Sequence, residues 1–328
     1  MKIGSACIVL RSDGEKESFN ERSTTIRHLK TLTPEQVEAK LWDITVSNLN
    51  SLRAVATRLS EMPPAQRMFR IGSGLLPVRT HPIAAPFYSK FLSVIAVSLE
   101  ETGRMFRECG ARISFHPAQF VVIASQNPNI RQRSLEELQY HAWVGRAMGY
   151  KGWHPHGFAI NVHIGVKNAA VMEARELIIQ DTDVANFLTL ENDEFSWGPE
   201  EIVDAFGDLV PVVLDVHHRW IKDGIHTHPD RDSALLWRIR ETWRGVPPKI
   251  HLAMTGRDLL PDQDPDSLPD LEQCLKLAPK AKLRAHSQTV WNSAVVKNAL
   301  SLNCDVMWEG KDKNLGSQHI YDNFIKGK

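Results

Sequence analysis

The sequence predicts an α/β fold, a single (β/α)8 TIM barrel with its active site at the C-terminal face of the strands, on three observations. Short apolar runs alternate with helical stretches eight times along the 328 residues, a pattern and length that suit a (β/α)8 barrel. The runs carry no polar alternation, as expected of parallel strands covered on both faces. Six of them contain or end in an imidazole or carboxylate: Ile113–His116, Phe158–His163, Phe187–Glu191, Pro211–His218, Lys249–His251 and Asp305–Glu309. In a barrel all such ends converge on one rim. A doubly wound open sheet is the alternative, but no Gly-x-Gly-x-x-Gly follows the first strand, and the polar ends come from too many strands for one crevice.

The elements follow in order. Lys2–Leu10 reads as the first strand, and Arg11–Thr33 is polar and irregular. Thr33-Pro-Glu-Gln36 is a helix start, with Thr as cap, Pro in the first turn and Gln reaching back. That helix runs to about Ser60, with apolar residues from Val37 to Leu59 at helical spacing. Then come strand Arg67–Ser73, a loop holding His81-Pro82, helix Phe87–Arg107, strand Arg112–His116 and loop Pro117–Pro128. Helix Ile130–Gly149 leads to strand Phe158–His163, helix Asn168–Ile179, strand Phe187–Glu191 and helix Pro199–Phe206. Strand Val212–Asp215, helix Asp232–Trp243 and strand Lys249–Ala253 precede the one long irregular stretch. This loop insertion, about 255–285, holds a short helix at Leu271–Leu277. Helix Gln288–Leu300, strand Asp305–Glu309 and a basic polar tail complete residues 1–328 as a single domain.

Lys plus Arg, 39, equals Asp plus Glu, 39. Neutrality does not exclude a nucleic-acid partner, because acidic metal ligands mask basic residues elsewhere. Cys7, Cys109, Cys274 and Cys304 form no Cys-x-x-Cys pair, which excludes a zinc knuckle or redox motif and suggests reduced thiols. No run has membrane-spanning length. The expectation is a soluble, cytoplasmic protein with no membrane contact and no evident obligate protein partner.

Strand-end residues, in order, are His81, His116, His163, Glu191, Asp215, His218, His251, His286 and Glu309. Imidazole with carboxylate suits borderline divalent cations. Nine ligands exceed the needs of one ion and suit two or three, the arrangement of hydrolytic phosphoryl chemistry. A lone strand-end histidine is more often structural, so the joint pattern carries the inference. Asp215-x-x-His218 and Lys249-x-His251 add local spacing to it, while Asp215 could also cap a following helix and His217 competes with His218 as ligand. Glu191 is followed by Asn192, Asp193 and Glu194, a density of negative charge that calls for cations.

At these residues the chain resembles the UV damage endonucleases. The matching stretches are Phe69-Arg-Ile-Gly-Ser-Gly-Leu-Leu-Pro77 with His81-Pro82, Ser114-Phe-His-Pro-Ala-Gln-Phe-Val-Val122, and Arg133 to His141. Leu190-Glu-Asn-Asp193, Leu214-Asp-Val-His-His-Arg219, Pro248-Lys-Ile-His251 and Val306-Met-Trp-Glu-Gly-Lys-Asp-Lys313 complete the set, which is highly specific. The resemblance implies a barrel related to endonuclease IV, with three divalent metal ions, Mn2+ typically and Zn2+ as the other candidate, held by the nine residues named above. It implies nicking of damaged double-stranded DNA on the 5′ side of UV photoproducts, leaving 3′-hydroxyl and 5′-phosphate ends. Glu191 would bridge ions. Lys249 stands where the family's lysine can be carboxylated; a phosphate contact is the other reading. Gln119-Phe120 match the pair that wedges into the duplex at the lesion, with Phe120 as a core residue the alternative.

The sequence departs from the family at Phe120, usually Tyr, and Ala118, usually Gly; the first strand lacks the family's lesion-contacting Tyr and Asn. Lesion choice is therefore open, and other helix-distorting lesions are candidate substrates. Arg79, Arg131, Arg133, Arg219, Lys311 and Lys313 are candidate phosphate contacts. The rivals are a metal-dependent sugar isomerase or epimerase on the same barrel and a lesion-binding protein without chemistry.

Overall fold

Eight parallel strands close on themselves in the computed structural model, which describes residues 1–327. Among the described residues they are β1 (Ile3–Ala6), β2 (Met68–Ile71), β3 (Arg112–Phe115), β4 (Ala159–His163), β5 (Leu188–Glu191), β6 (Val212–Asp215), β7 (Lys249–Leu252) and β8 (Asp305–Trp308). They pair in chain order, and β8 returns to β1 with Ile3 beside Val306 and Ser5 beside Trp308. The sequence-predicted barrel is present. Its register sets His163 beside Glu191 and Asp215 beside His251, so residues far apart in the chain share one rim.

The helices are α1 (Ile26–Leu29), α2 (Pro34–Glu61), α3 (Ala85–Glu108), α4 (Pro128–Ala147), α5 (Val171–Gln180), α6 (Thr182–Phe187), α7 (Pro199–Phe206), α8 (Val216–Asp223), α9 (Ser233–Thr242), α10 (Leu271–Leu277), α11 (Lys280–Leu283), α12 (Ser293–Ser301) and α13 (Lys313–Ile320). The capping box forms as expected: Thr33 Oγ1 accepts from the Gln36 N–H at 3.3 Å, and Gln36 Oε1 accepts from the Thr33 N–H at 3.0 Å. Leu41, Ile44, Leu52, Val55 and Leu59 line the buried face of α2.

Several boundaries differ from the sequence reading. β1 stops at Ala6, because Cys7 turns the chain with φ 66°. α8 begins where a strand end and loop were expected: Asp215 accepts from the His218 N–H at 2.7 Å and so caps it. Gly224, at φ 73°, terminates that helix and donates to Trp220 O. The helix expected from Gln288 starts at Ser293, where Asn292 accepts from the Val295 N–H. The tail is structured as α13 and a π-helical turn, Tyr321–Ile325. It is tied to the start of the chain: Asn314 accepts from the Leu10 N–H at 2.7 Å and donates to Leu10 O at 3.0 Å.

Between β7 and α12 the chain makes a short 3-10 turn, α10 and α11. Leu260, Cys274, Ala278 and Leu283 form a separate small core with Trp220 and Ile221 of α8. The opposite end of the barrel is closed by charge. Arg112 Nη1 donates to Asp305 Oδ2 at 2.7 Å and to Pro247 O at 2.8 Å, and its guanidinium lies 4.9 Å over the Trp243 ring. Asp305 Oδ1 accepts from the Lys2 N–H at 2.6 Å.

On α4, His141 is fully buried, donates from Nδ1 to Glu137 O at 2.8 Å and lies edge-on to Phe115. Burial lowers its pKa from 6.5 to about 4. The unfolded chain takes up a proton here below about pH 6.5 that the folded chain refuses until about pH 4. Stability from this group is therefore complete above the upper value and lost as pH falls through the window. The expected loss is about 3 kcal/mol. Urea midpoints between pH 7 and 4.5 should show a shallower acid slope for His141→Gln than for the unsubstituted protein.

Candidate metal centre

Glu191, the last residue of β5, is the hub of the rim. Its Oε2 lies 3.4 Å from His116 Nε2 and 3.8 Å from His163 Nε2, and its Oε1 lies 2.9 Å from His251 Nδ1 and 3.9 Å from His218 Nδ1. Asn161 of β4 donates to Oε2 from beneath and is held by Thr189, whose hydroxyl donates to its Oδ1 at 3.0 Å. Asp215 Oδ2 is 3.6 Å from His218 Nδ1. Glu309 stands 3.1 Å from His251 Nδ1 and 4.0 Å from His286 Nε2, and is ion-paired with Arg70.

These groups can hold metal ions. The candidate ligand atoms of His116, His163 and Glu191 lie within 4.8 Å of one another, as do those of Glu191, Asp215 and His251. The histidines are aimed for it. Nδ1 of His116 faces Pro117 O at 3.1 Å, Nδ1 of His218 faces Asn192 O at 3.1 Å, and Nδ1 of His286 faces Glu309 O at 2.9 Å. A carbonyl accepts only from N–H, so Nδ1 carries a hydrogen in each ring and Nε2 is the nitrogen left for a cation, in His218 once its second proton has gone. Asp215 Oδ2, His251 Nε2 and His163 Nδ1 are buried without a hydrogen-bond partner among the described residues, atoms for which a cation would be the missing partner.

The electrostatics agree. Burial, with Glu191 and Glu309 close by, pushes the Asp215 carboxyl well above its ordinary range. Burial also acts to raise Glu191, but His251 and His163 outweigh it and hold that carboxyl low. Glu309 is likewise held low, by Arg70 and His251 against burial. Burial works against protonating His218, yet Asp215, Glu191 and Glu194 prevail and raise it to about 9. The crowding of acidic groups in the buried pocket favours protons on the Asp215 carboxyl and the His218 imidazole, places a divalent cation would take.

Lys249 lies buried on β7, its Nζ without a hydrogen-bond partner among the described residues. Burial, with Arg112 and Arg70 nearby, lowers its pKa to about 7.

The structure brings eight of the nine strand-end residues together and leaves His81 apart. His81 Nδ1 accepts from the Ile83 N–H at 3.2 Å, and the side chain lines a neighbouring cavity of about 690 Å3 with Arg79, Phe120 and Arg133. Gln119 lines the metal cavity itself, about 550 Å3. Phe120 is 60% exposed and not a core residue. Arg79 packs 5.3 Å over Tyr88. Arg219 is a correction to its reading as a phosphate contact: it is buried and committed to Glu200 at 2.7 Å, Asp232 at 2.9 Å and Thr227 at 3.0 Å. Lys311 is exposed and Lys313 half-buried at the start of α13. His217 stacks on Trp220 and lines a different cavity, whereas His218 Nδ1 lies 3.9 Å from Glu191 Oε1.

Sequence reasoning missed Arg70, Asn161, Asn192 and Arg284. Asn161 had a signal, a lone amide within an apolar strand. Asn192 exchanges two hydrogen bonds with the Asp215 backbone, 2.8 and 2.9 Å, and so fixes that carboxylate's strand end.

The family model for UV-endonuclease UvdE matches residues 1–321. The chain belongs to that family. It is 30% identical over 265 residues to a UV DNA damage endonuclease of Deinococcus radiodurans, covering 77% of this chain and 80% of the relative. It is 31% identical over 250 residues to one from Halalkalibacterium halodurans, covering 70% and 73%. The crystal structure of SacUVDE superposes with a TM-score of 0.74 at 21% identity, covering 98% of this chain and 97% of that one, a likeness of fold. No helix among the described residues is long and apolar enough to cross a membrane.

Proposed function

We propose that this UvdE-family protein is a metal-dependent DNA repair endonuclease. It nicks the backbone of damaged double-stranded DNA on the 5′ side of UV photoproducts or other helix-distorting lesions and leaves 3′-hydroxyl and 5′-phosphate ends. The observation that carries this is Glu191 with four imidazoles within 4 Å of its carboxylate, three of which, His116, His163 and His218, line a cavity together with Gln119.

Glu191, Asp215, Glu309, His116, His163, His218, His251 and His286 would hold the ions, three in number, with Mn2+ favoured and Zn2+ the alternative; His81 stands outside the set. When bound, the ions supply Lewis-acid polarisation of the phosphodiester and a nucleophile at neutral pH. The protein's own groups do the rest. Asn161 and His251 orient Glu191 by hydrogen bonds. The backbone carbonyls behind His116, His218 and His286 hold those rings in one tautomer. Arg70 fixes Glu309. Lys249, whose pKa burial lowers to about 7, would add less repulsion toward cations than an ordinary lysine, and as the carboxylated residue it would add an acidic neighbour. Gln119 and Phe120 would enter the duplex where a lesion weakens stacking, and Arg79, Lys311 and Lys313 are the basic groups proposed to meet phosphates.

The isomerase rival needs fewer ligands and no exposed aromatic beside the cavity, so both the ligand number and Phe120 support the endonuclease. The decisive assay incubates supercoiled plasmid, irradiated or not, with Mn2+ or EDTA. Relaxation of irradiated plasmid with Mn2+ alone is expected. Absence of metal-dependent nicking on photoproduct, abasic and mismatch duplexes alike would sink the proposal.

A further inference from the structure

The loop after β5 carries an aromatic that the reading so far does not use. Phe195 is 48% exposed, and it lines the metal cavity rather than the neighbouring one that Phe120 lines. The loop is rigid: the Phe195 N–H donates to Asp193 Oδ1 at 2.8 Å, the Trp197 N–H to Asp193 Oδ2 at 3.3 Å, and the Asp193 N–H to Trp197 O at 3.0 Å. The ring is backed by a cation, with the Arg284 guanidinium 5.0 Å over its centroid. Arg284 is in turn held by Glu194, Nε to Oε1 at 3.0 Å, and Glu194 Oε2 lies 3.7 Å from His218 Nε2. The half-exposed ring and the guanidinium over it therefore line one cavity together.

We infer that Phe195, supported by Arg284, is a stacking platform for an unpaired nucleobase beside the phosphodiester that is cut. A flat ring fixed by its own loop loses little freedom when a base lies on it, and stacking accepts any base. Arg284 keeps the ring from swinging and brings positive charge next to a nucleic-acid backbone. Its side chain is 41% exposed, open to a phosphate as well as to the ring. The long segment after β7 thus reaches the cavity through Arg284 as well as His286. The inference rests on the endonuclease reading for the identity of the ligand.

The test uses a duplex carrying one cyclobutane thymine dimer, with 2-aminopurine next to the expected cut and EDTA present to hold off cleavage. The full-length protein should quench the probe on binding. Phe195→Ala and Phe195→Leu should lose the quench and bind roughly 5- to 100-fold more weakly; Phe195→Trp should restore both, and Arg284→Ala should fall between. Leucine keeps apolar volume without a stacking face, so a merely structural role would leave Phe195→Leu near normal. In single-turnover nicking with Mn2+, the half-saturating protein concentration should rise while the maximal rate holds. Unchanged quench and affinity in Phe195→Ala and Phe195→Leu overturn the platform and leave the endonuclease reading intact. Quenching that depends on Phe195 in a protein that cuts nothing upholds the platform and removes the endonuclease reading.

Discussion

Glu191→Gln should lower metal-dependent nicking by about 10³-fold or more, because the substitution removes the one carboxylate that faces four imidazoles. Cations at such a site lower the barrier by several kcal/mol through charge stabilisation, and each 1.4 kcal/mol is a factor of about ten. The variant should remain folded. The carboxamide oxygen can still accept from one of the two donors that reach separate oxygens of the carboxylate, Asn161 on Oε2 or His251 on Oε1, and no volume is lost. Duplex affinity in EDTA should stay near normal, while the rise in melting temperature on adding Mn2+ should shrink, since ligand binding to the folded state is what stabilises it. Single-turnover rates within tenfold of the unsubstituted protein would remove Glu191 from the centre of the chemistry.

The largest stability effect is expected at the far end of the barrel. Asp305→Ala strands the buried Arg112 guanidinium, whose Nε and Nη2 already have no hydrogen-bond partner among the described residues. Breaking a buried pair by removing one partner costs about 3–5 kcal/mol, whereas replacing both by apolar groups of similar size is often near neutral. Asp305→Leu combined with Arg112→Met should therefore be less damaging than Asp305→Ala alone, even though it removes more contacts with Lys2 and Pro247. Urea midpoints decide; a single variant within 1 kcal/mol of the parent would mean that water reaches the pair.

The barrel was legible because its grammar is local. Apolar β-branched runs identify strands wherever they lie, and a carboxylate or imidazole at the end of such a run leaves the core at the rim. That logic holds for Glu191 and Asp215, whose strands end at those residues, and the barrel's closure brings them to one place. It does not extend to His81, which sits ten residues past Ile71 in a loop and lines the neighbouring cavity; loop direction depends on contacts that spacing does not encode. It fails at Arg219. A charge at the fourth position after a strand reads the same whether it meets solvent or Glu200 and Asp232. Asp215 was legible in both roles, as the strand's last residue and as a candidate cap, but the helix α8 that it caps was not expected as an element. Arg70 pairs with Glu309 across 239 positions, a separation over which the sequence gives no hint of partnership.

The seam between β8 and β1 has a consequence for how the molecule is made. Val306 sits beside Ile3, and Lys2 bonds to Asp305 over 303 positions, so the ring cannot shut until the chain through Trp308 has left the ribosome. Until then two unpaired strand edges stay open to other nascent chains. Closure of a loop this long is entropically slow, which makes the final strand a timing element: a product truncated ahead of Asp305 should be cleared by chaperones or aggregate, whatever its local structure.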